Sequence, residues 1–93
     1  MANNLFISYD LYSPHQDYSA TIEAIKNLGP WAAVQKSLWY VNANYTAEQA
    51  AKIVREKQDP NDSLIVIDAS NKDAYWYNIS EEVAKHIQDY WFR

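Results

Sequence analysis

Apolar positions along this chain recur with two periods, two and about 3.6, and the switches between them mark out its elements. Leu5, Ile7 and Tyr9 alternate with Phe6, Ser8 and Asp10. Both sets are partly apolar, which predicts a central strand over 4–10. Ser13-Pro14 then marks a loop over 11–16, because Pro14 does not let a helix run through it. Tyr18, Ile22, Ile25 and Leu28 follow at helical spacing as a buried stripe, with Asp17 or Ser19 as the cap. Gly29, directly followed by Pro30, stops that helix.

Residues 31–34 and 37–43 read as two strands, with Gln35-Lys36 between them as a tight turn or bulge. Leu38 and Tyr40 share one side of the second of these strands, Trp39 and Val41 the other. Thr46-Ala47-Glu48-Gln49 is a capping box, in which the Thr and Gln side chains satisfy orphan amides reciprocally. Ala47, Ala50, Ala51 and Val54, with Ile53 beside them, give the helix a face of small residues that lets it lie close to a sheet. Glu48 and Lys52 form an i,i+4 pair on the same helix. Asp59-Pro60-Asn61-Asp62 is a turn by composition. The unbroken run Leu64-Ile65-Val66-Ile67 predicts a strand over 63–68, buried on both faces. Residues 69–73 are loop-like, and 74–79, carrying Tyr75-Trp76-Tyr77, fit an extra edge strand or an aromatic loop. A last helix begins at Ser80 as cap, with Glu81 and Glu82 at its dipole-favoured end and Val83, Ile87 and Trp91 as its stripe.

Strand, helix, strand, strand, helix, strand is the βαββαβ order of the ferredoxin-like α+β fold. The expectation is one domain over 1–93, a core over 4–69 and a C-terminal extension over 70–93. The sheet is antiparallel with the first and third strands central, and both core helices lie on one face. Asp10 then falls near Ser37 and near Asp62-Ser63, and far from Asp68. The other sheet face needs a cover, from the C-terminal helix or from a second subunit.

Composition narrows the function classes. With 93 residues, 48% hydrophobic and 15% aromatic, the chain supports one modest core. Four Trp and eight Tyr imply a bulky core or a buried interface. Without cysteine there are neither disulfides nor thiolate metal sites. No apolar run approaches membrane-spanning length and no signal peptide opens the chain, so a soluble cytoplasmic protein with no membrane partner is expected. A net charge of −4 and only eight basic residues argue against tight sequence-independent nucleic-acid binding.

Several side chains have two readings. Ser8, Ser37 and Ser63 could be nucleophiles or phosphate ligands, but no histidine stands at a triad-marking spacing, and strand serines are the simpler account. His15 could act as a base in the loop after the first strand, or be an exposed loop histidine. His86 and Glu82 form a solvated i,i+4 pair, and no zinc-type histidine spacing occurs. Phe6 and Trp39 occupy strands where RNA-binding sheets carry stacking aromatics, although core or interface packing accounts for them with fewer demands on scarce Lys and Arg. Tyr75-Trp76-Tyr77 and Trp91-Phe92 read as cover for the open sheet face or a protein-binding patch. Lys52, Arg55 and Lys57 read as a solvated helix face.

Three segments carry a family resemblance, in order along the chain. Tyr9-Asp10-Leu11 resembles the Tyr-Asp-Ile motif of the small CRISPR-associated Cas-two family. Residues 34–39, Val-Gln-Lys-Ser-Leu-Trp, resemble its Val-Gln-x-Ser-Val-Phe segment, and residues 61–67 its Asp-Ser-Val-x-Ile strand. The first half is also similar to SinR-like small proteins, through Ile7-Ser8-Tyr9-Asp10-Leu11, a Pro14-containing loop, Asp17-Tyr18-Ser19 and Leu28-Gly29-Pro30-Trp31. VapD-type ribonucleases are more distant relatives of the same fold. The resemblance implies a homodimer packed through its sheets. It also makes Asp10 the candidate catalytic and Mg²⁺-binding residue of an endonuclease acting on RNA, with the second carboxylate supplied by the partner subunit. On its own, Asp10 would be read as a strand terminus bonding to loop amides. The chain differs from the family in its acidic charge, its shortage of arginine and a last segment that reads as helix. The motif set favours the endonuclease; the acidic balance favours the alternative, a non-enzymatic dimeric interaction or scaffold module, of a mobile-element or CRISPR-related kind, that binds another protein.

Overall fold

A computed structural model of the chain describes residues 2–10, 12 and 18–91. The expectations for 13–16, for Asp17 as a cap, for His15 and for Phe92 lie outside those residues. In chain order the elements are β1 (Asn3–Asp10), α1 (Ser19–Lys26), β2 (Trp31–Gln35), β3 (Leu38–Ala43), α2 (Ala47–Arg55), β4 (Ser63–Asp68), β5 (Asp73–Tyr77) and α3 (Glu81–Tyr90). The strands form one sheet in the order β2-β3-β1-β4-β5. Every neighbouring pair is antiparallel. The protein is thus α+β, with a five-stranded antiparallel sheet and three helices among the described residues. Residues 73–77 are the extra edge strand, not a loop.

Side chains alternate across each strand, and the two sets have different fates. Leu5, Ile7, Tyr9, Trp39, Val41, Ala43, Leu64 and Val66 point to one face and join Ile25, Leu28, Ala47, Ala50, Ala51 and Val54 in a single core. That face lies under α1 and α2. The small residues of α2 are fully buried, as their spacing predicts. Thr46 accepts from the Gln49 amide at 3.1 Å, and the Gln49 side chain accepts from the Thr46 amide at 2.9 Å. The capping box is therefore complete; such caps contribute about 1 kcal/mol each.

Other details differ from the sequence reading. Ser63 to Asp68 is not buried on both faces. Leu64 and Val66 are sealed, whereas Ile65 and Ile67 are only half-buried. The β2–β3 turn falls on Lys36-Ser37, and the irregularity lies between Ala33 and Gln35. Ser19 does not cap α1; the cap position is Tyr18, which makes no side-chain capping bond. The α1 face also includes Thr21, whose hydroxyl donates to the Lys57 carbonyl at 2.9 Å and ties α1 to the end of α2. Gly29 has no positive φ. A Cβ there would run into the Asn42 carbonyl oxygen, beside the bond from the Asn42 amide to the Pro30 carbonyl (2.9 Å). Close approach of two backbones, not a left-handed helix cap, is what requires glycine.

Candidate functional site

Among the described residues no helix crosses the second face of the sheet. In register, Tyr40, Phe6 and Ile67 form one cross-strand row, and Leu38, Ser8, Ile65 and Trp76 form the next. All of these are half-buried. The Phe6 and Tyr40 rings meet at 5.5 Å between centroids. The two rows hold no charged residue. One end of the face is rich in amides: Tyr40 Oη donates to Asn4 Oδ1 at 2.6 Å, and Asn42 Nδ2 donates to the same oxygen at 3.1 Å. At the other end stands Asp10, exposed and opposite Ser63.

The neighbours expected for Asp10 are in place. The Tyr9 amide donates to the Ser37 carbonyl at 3.2 Å, while Asp68 pairs with Leu5 at the far end of β1. Among the described residues no group of three or more His, Asp or Glu side chains is gathered to hold a metal ion. Asp10 thus belongs to no such group among the described residues.

Two other carboxylates, missed in the sequence reading, clamp loops. Asp62, 1% exposed, accepts from the Tyr12 amide at 2.7 Å and the Asp59 amide at 3.1 Å. Asp68, also 1% exposed, accepts from the Ser70 and Asn71 amides and from Asn71 Nδ2. Their position at turn boundaries, in Asp59-Pro60-Asn61-Asp62 and Asp68-Ala69-Ser70-Asn71, is the signal that could have found them.

Trp39 is a buried core residue, opposite Ile7, with its indole N–H donating to Tyr9 Oη at 3.3 Å. It is not a stacking platform; Tyr40 is the β3 aromatic beside Phe6. Tyr75 and Tyr77 pack against the core, and only Trp76 of that trio shares a face with Ile65. Arg55 is not simply a solvated cation. It donates to the Asp62 and Pro60 carbonyls at 2.7 and 2.6 Å and lies 5.0 Å from the Tyr77 ring centre, holding the 59–62 turn. His86 rests against Tyr90 with ring centres 4.9 Å apart. Lys52 has its pKa raised by the hydrogen bond and charge of Glu48.

Helix α3 does not cover the open face. Ser80 caps it, accepting from the Val83 amide at 3.3 Å, and Trp91 Nε1 donates to the Lys72 carbonyl at 2.6 Å. No residue of α3 is buried, and Val83 is 50% exposed. The helix instead stands beside β5, leaving a groove of about 240 Å³ lined in part by Trp76, Ile87 and Trp91.

Fold and site together define, over the described residues, an α+β chain whose sheet is sealed under helices on one face and half-buried without them on the other. Comparison with protein-family models, with curated proteins and with solved structures finds no match. No helix among the described residues is long and apolar enough to cross a membrane.

Proposed function

We propose that this chain is a ferredoxin-like interaction module of the Cas-two-like or SinR-like kind, which forms a homodimer through the bare face of its sheet. The observation that carries this reading is the uncharged, half-buried double row around Phe6, Tyr40, Ile65 and Ile67, with no helix of the described residues over it. Contiguous apolar surface of this sort marks interaction sites, and burying it is favourable by about 25 cal/mol per Å². The strand order β2-β3-β1-β4 with α1 and α2 on one face supports the ferredoxin-like assignment, with β5 added at the β4 edge. The test is sedimentation velocity of the wild type and of a Tyr40→Glu, Ile65→Glu double variant. A wild-type dimer that becomes a folded monomer in the variant supports the reading. A wild type that stays monomeric at its highest soluble concentration refutes it.

A second reading rests on Asp10. Strand alternation puts it on the same face as Phe6 and Ser8, exposed at one end. A face-to-face dimer would therefore carry one Asp10 from each copy at its margin. Where the twofold axis brings the two β1 ends together, those carboxylates would hold Mg²⁺ with waters and a substrate phosphate, and the ion would act as Lewis acid in RNA phosphodiester cleavage. Metal-dependent cleavage of labelled RNA that disappears in Asp10→Asn supports this activity. Equal cleavage by both proteins, or none, leaves the module without it.

A further inference from the structure

The sheet has β2 at one edge and β5 at the other, and the two edges are finished differently. Beside β5, residues 78–80 turn the chain back into α3, at whose end Trp91 Nε1 donates to the Lys72 carbonyl at 2.6 Å. Asp73 adds a charge to that strand. A covering element and a charge are common devices that keep an open edge from pairing. Among the described residues β2 has neither. Its sequence, Trp31-Ala32-Ala33-Val34-Gln35, is uncharged and exposed throughout. Trp31, 46% exposed, and Val34, 50% exposed, put large apolar side chains on this edge.

The register fixes which backbone groups of β2 are open. The Asn42 amide donates to the Pro30 carbonyl at 2.9 Å, so Pro30 and, two residues on, Ala32 turn their backbone groups toward β3. Antiparallel pairing alternates along a strand, and the N–H and C=O groups of Trp31 and Ala33 therefore point out of the sheet. The proline nitrogen faces inward and does not blunt the outer edge. The irregularity between Ala33 and Gln35 ends the regular ladder, which leaves 31–33 as the stretch able to pair. That stretch lies opposite Val41 and Trp39, in line with Leu5 and Ile7 and away from Asp10.

A row of alternating donors and acceptors is matched by another extended strand. With α3 alongside β5, a head-to-tail contact of β2 on β5 is disfavoured, whereas β2 against β2 closes about a twofold axis. With that axis at Ala32, Trp31 of one copy stands opposite Ala33 of the other, in pairs that exchange both backbone bonds. Each indole is then set beside a methyl group, and Ala32 against its twin brings no charge to the axis. The Trp31 ring is held in place by Trp39, 5.4 Å away, and by Lys26 Nζ at 4.7 Å. We propose that two copies of this chain join their β2 edges antiparallel through 31–33, giving one sheet continuous across both. This edge and the bare face are separate surfaces, so either pairing can fail while the other stands.

The chain has no cysteine, so a single introduced thiol reports on the axis. A non-hydrogen-bonded antiparallel pair has its Cα atoms about 4.5 Å apart, within the range a disulfide spans. On mild oxidation Ala32→Cys should form a covalent dimer at least about tenfold faster than Ala33→Cys, whose twin lies diagonally across and beyond that range. Ala33→Pro removes only an outward N–H, which an edge strand tolerates. Added to Ala32→Cys, it should suppress the cross-link while the amide spectrum keeps its native dispersion. The cross-link should persist when Tyr40→Glu and Ile65→Glu are added to open the face-to-face dimer. No cross-link at 32, or equal rates at 32 and 33, overturns the proposal. So does a cross-link that Ala33→Pro leaves intact. Loss of the cross-link with Tyr40→Glu and Ile65→Glu would assign the contact to the bare face and overturn it as well. If Ala33→Pro does not fold, the rates at 32 and 33 decide alone.

Discussion

The two faces of this sheet are built from the same strands and from similar residues. Leu64 and Val66 belong to one face, Ile65 and Ile67 to the other; Ile7 has Phe6 beside it, and Val41 has Tyr40. Yet Leu64, Val66, Ile7 and Val41 are completely buried, while their neighbours are half-buried. The difference lies in what crosses the strands. Helices α1 and α2 close the first face with Ile25, Ala50, Ala51 and Val54. Nothing in the described chain closes the second, since α3 stands at the β5 side with no residue buried. Apolar content along a strand thus records that both faces can be covered, not that the same chain covers both.

The largest expected effect compares adjacent residues on the two faces. Leu64→Ala should cost about 2–5 kcal/mol, the usual result of emptying a buried leucine site. Ile65→Ala should cost clearly less when unfolding is measured by denaturant at low protein concentration. At high concentration the Ile65 penalty should grow, because association then adds to folding stability. A concentration-independent Ile65 penalty equal to that of Leu64 would show the bare face to be sealed within one chain.

A smaller effect separates two carboxylates at the same end of the sheet. Asp62→Ala removes the charged acceptor for the part-buried bonds from the Tyr12 and Asp59 amides, and hydrogen bonds to charged groups contribute about 1.5–3 kcal/mol. Asp10 is exposed, so Asp10→Asn should change stability by no more than about 0.5 kcal/mol. Thermal and denaturant midpoints for the two variants check this directly. A large loss in Asp10→Asn would make Asp10 a structural residue and remove the ground for reading it as a metal ligand.

Much of the fold was legible because its signals are local. The capping box at Thr46, the stop near Gly29-Pro30, the alternation of β1 and the Ser80 cap each depend on a few consecutive residues. Element order then implied that β1 and β3 are central, and placed Asp10 beside Ser63. What was misread depends on partners distant in sequence. Trp39 and Tyr40 plainly take opposite faces, but which one joins the core follows from register: Trp39 lies opposite Ile7, and directly opposed residues share a face. Gly29 looked like a helix terminator, yet its constraint comes from Asn42. Thr21 breaks the hydrophobic template and is buried because the Lys57 carbonyl meets its hydroxyl. Asp62 looked like an ordinary turn residue until its amide donors, one of them from Tyr12, were in place.

The smallest expected effect concerns the two outer helices. Glu48 and Lys52 on α2 bond at 2.7 Å with side chains 51% and 57% exposed. Glu48 raises the Lys52 pKa above 10.5. A raised folded pKa gives a contribution that is fully present below the unfolded value and lost as pH rises through the folded one. At pH 7 the pair is therefore intact, but solvent screens it. Lys52→Gln should leave the pH 7 melting midpoint unchanged within error, because α2 is held by its capping box and by the Ala50, Ala51 and Val54 face beneath it. Lys85 and Asp89 form a bond of the same length on α3, in the less favourable orientation for the helix dipole. With no buried face underneath, a ten-residue helix is marginal in water. Lys85→Gln should therefore lower amide protection across α3, while Lys52→Gln leaves that of α2 intact. Equal indifference in both helices, measured by hydrogen exchange, would mean that α3 is packed in solution as firmly as α2. The contact supplying that packing would then have to be sought on a second copy or on another protein.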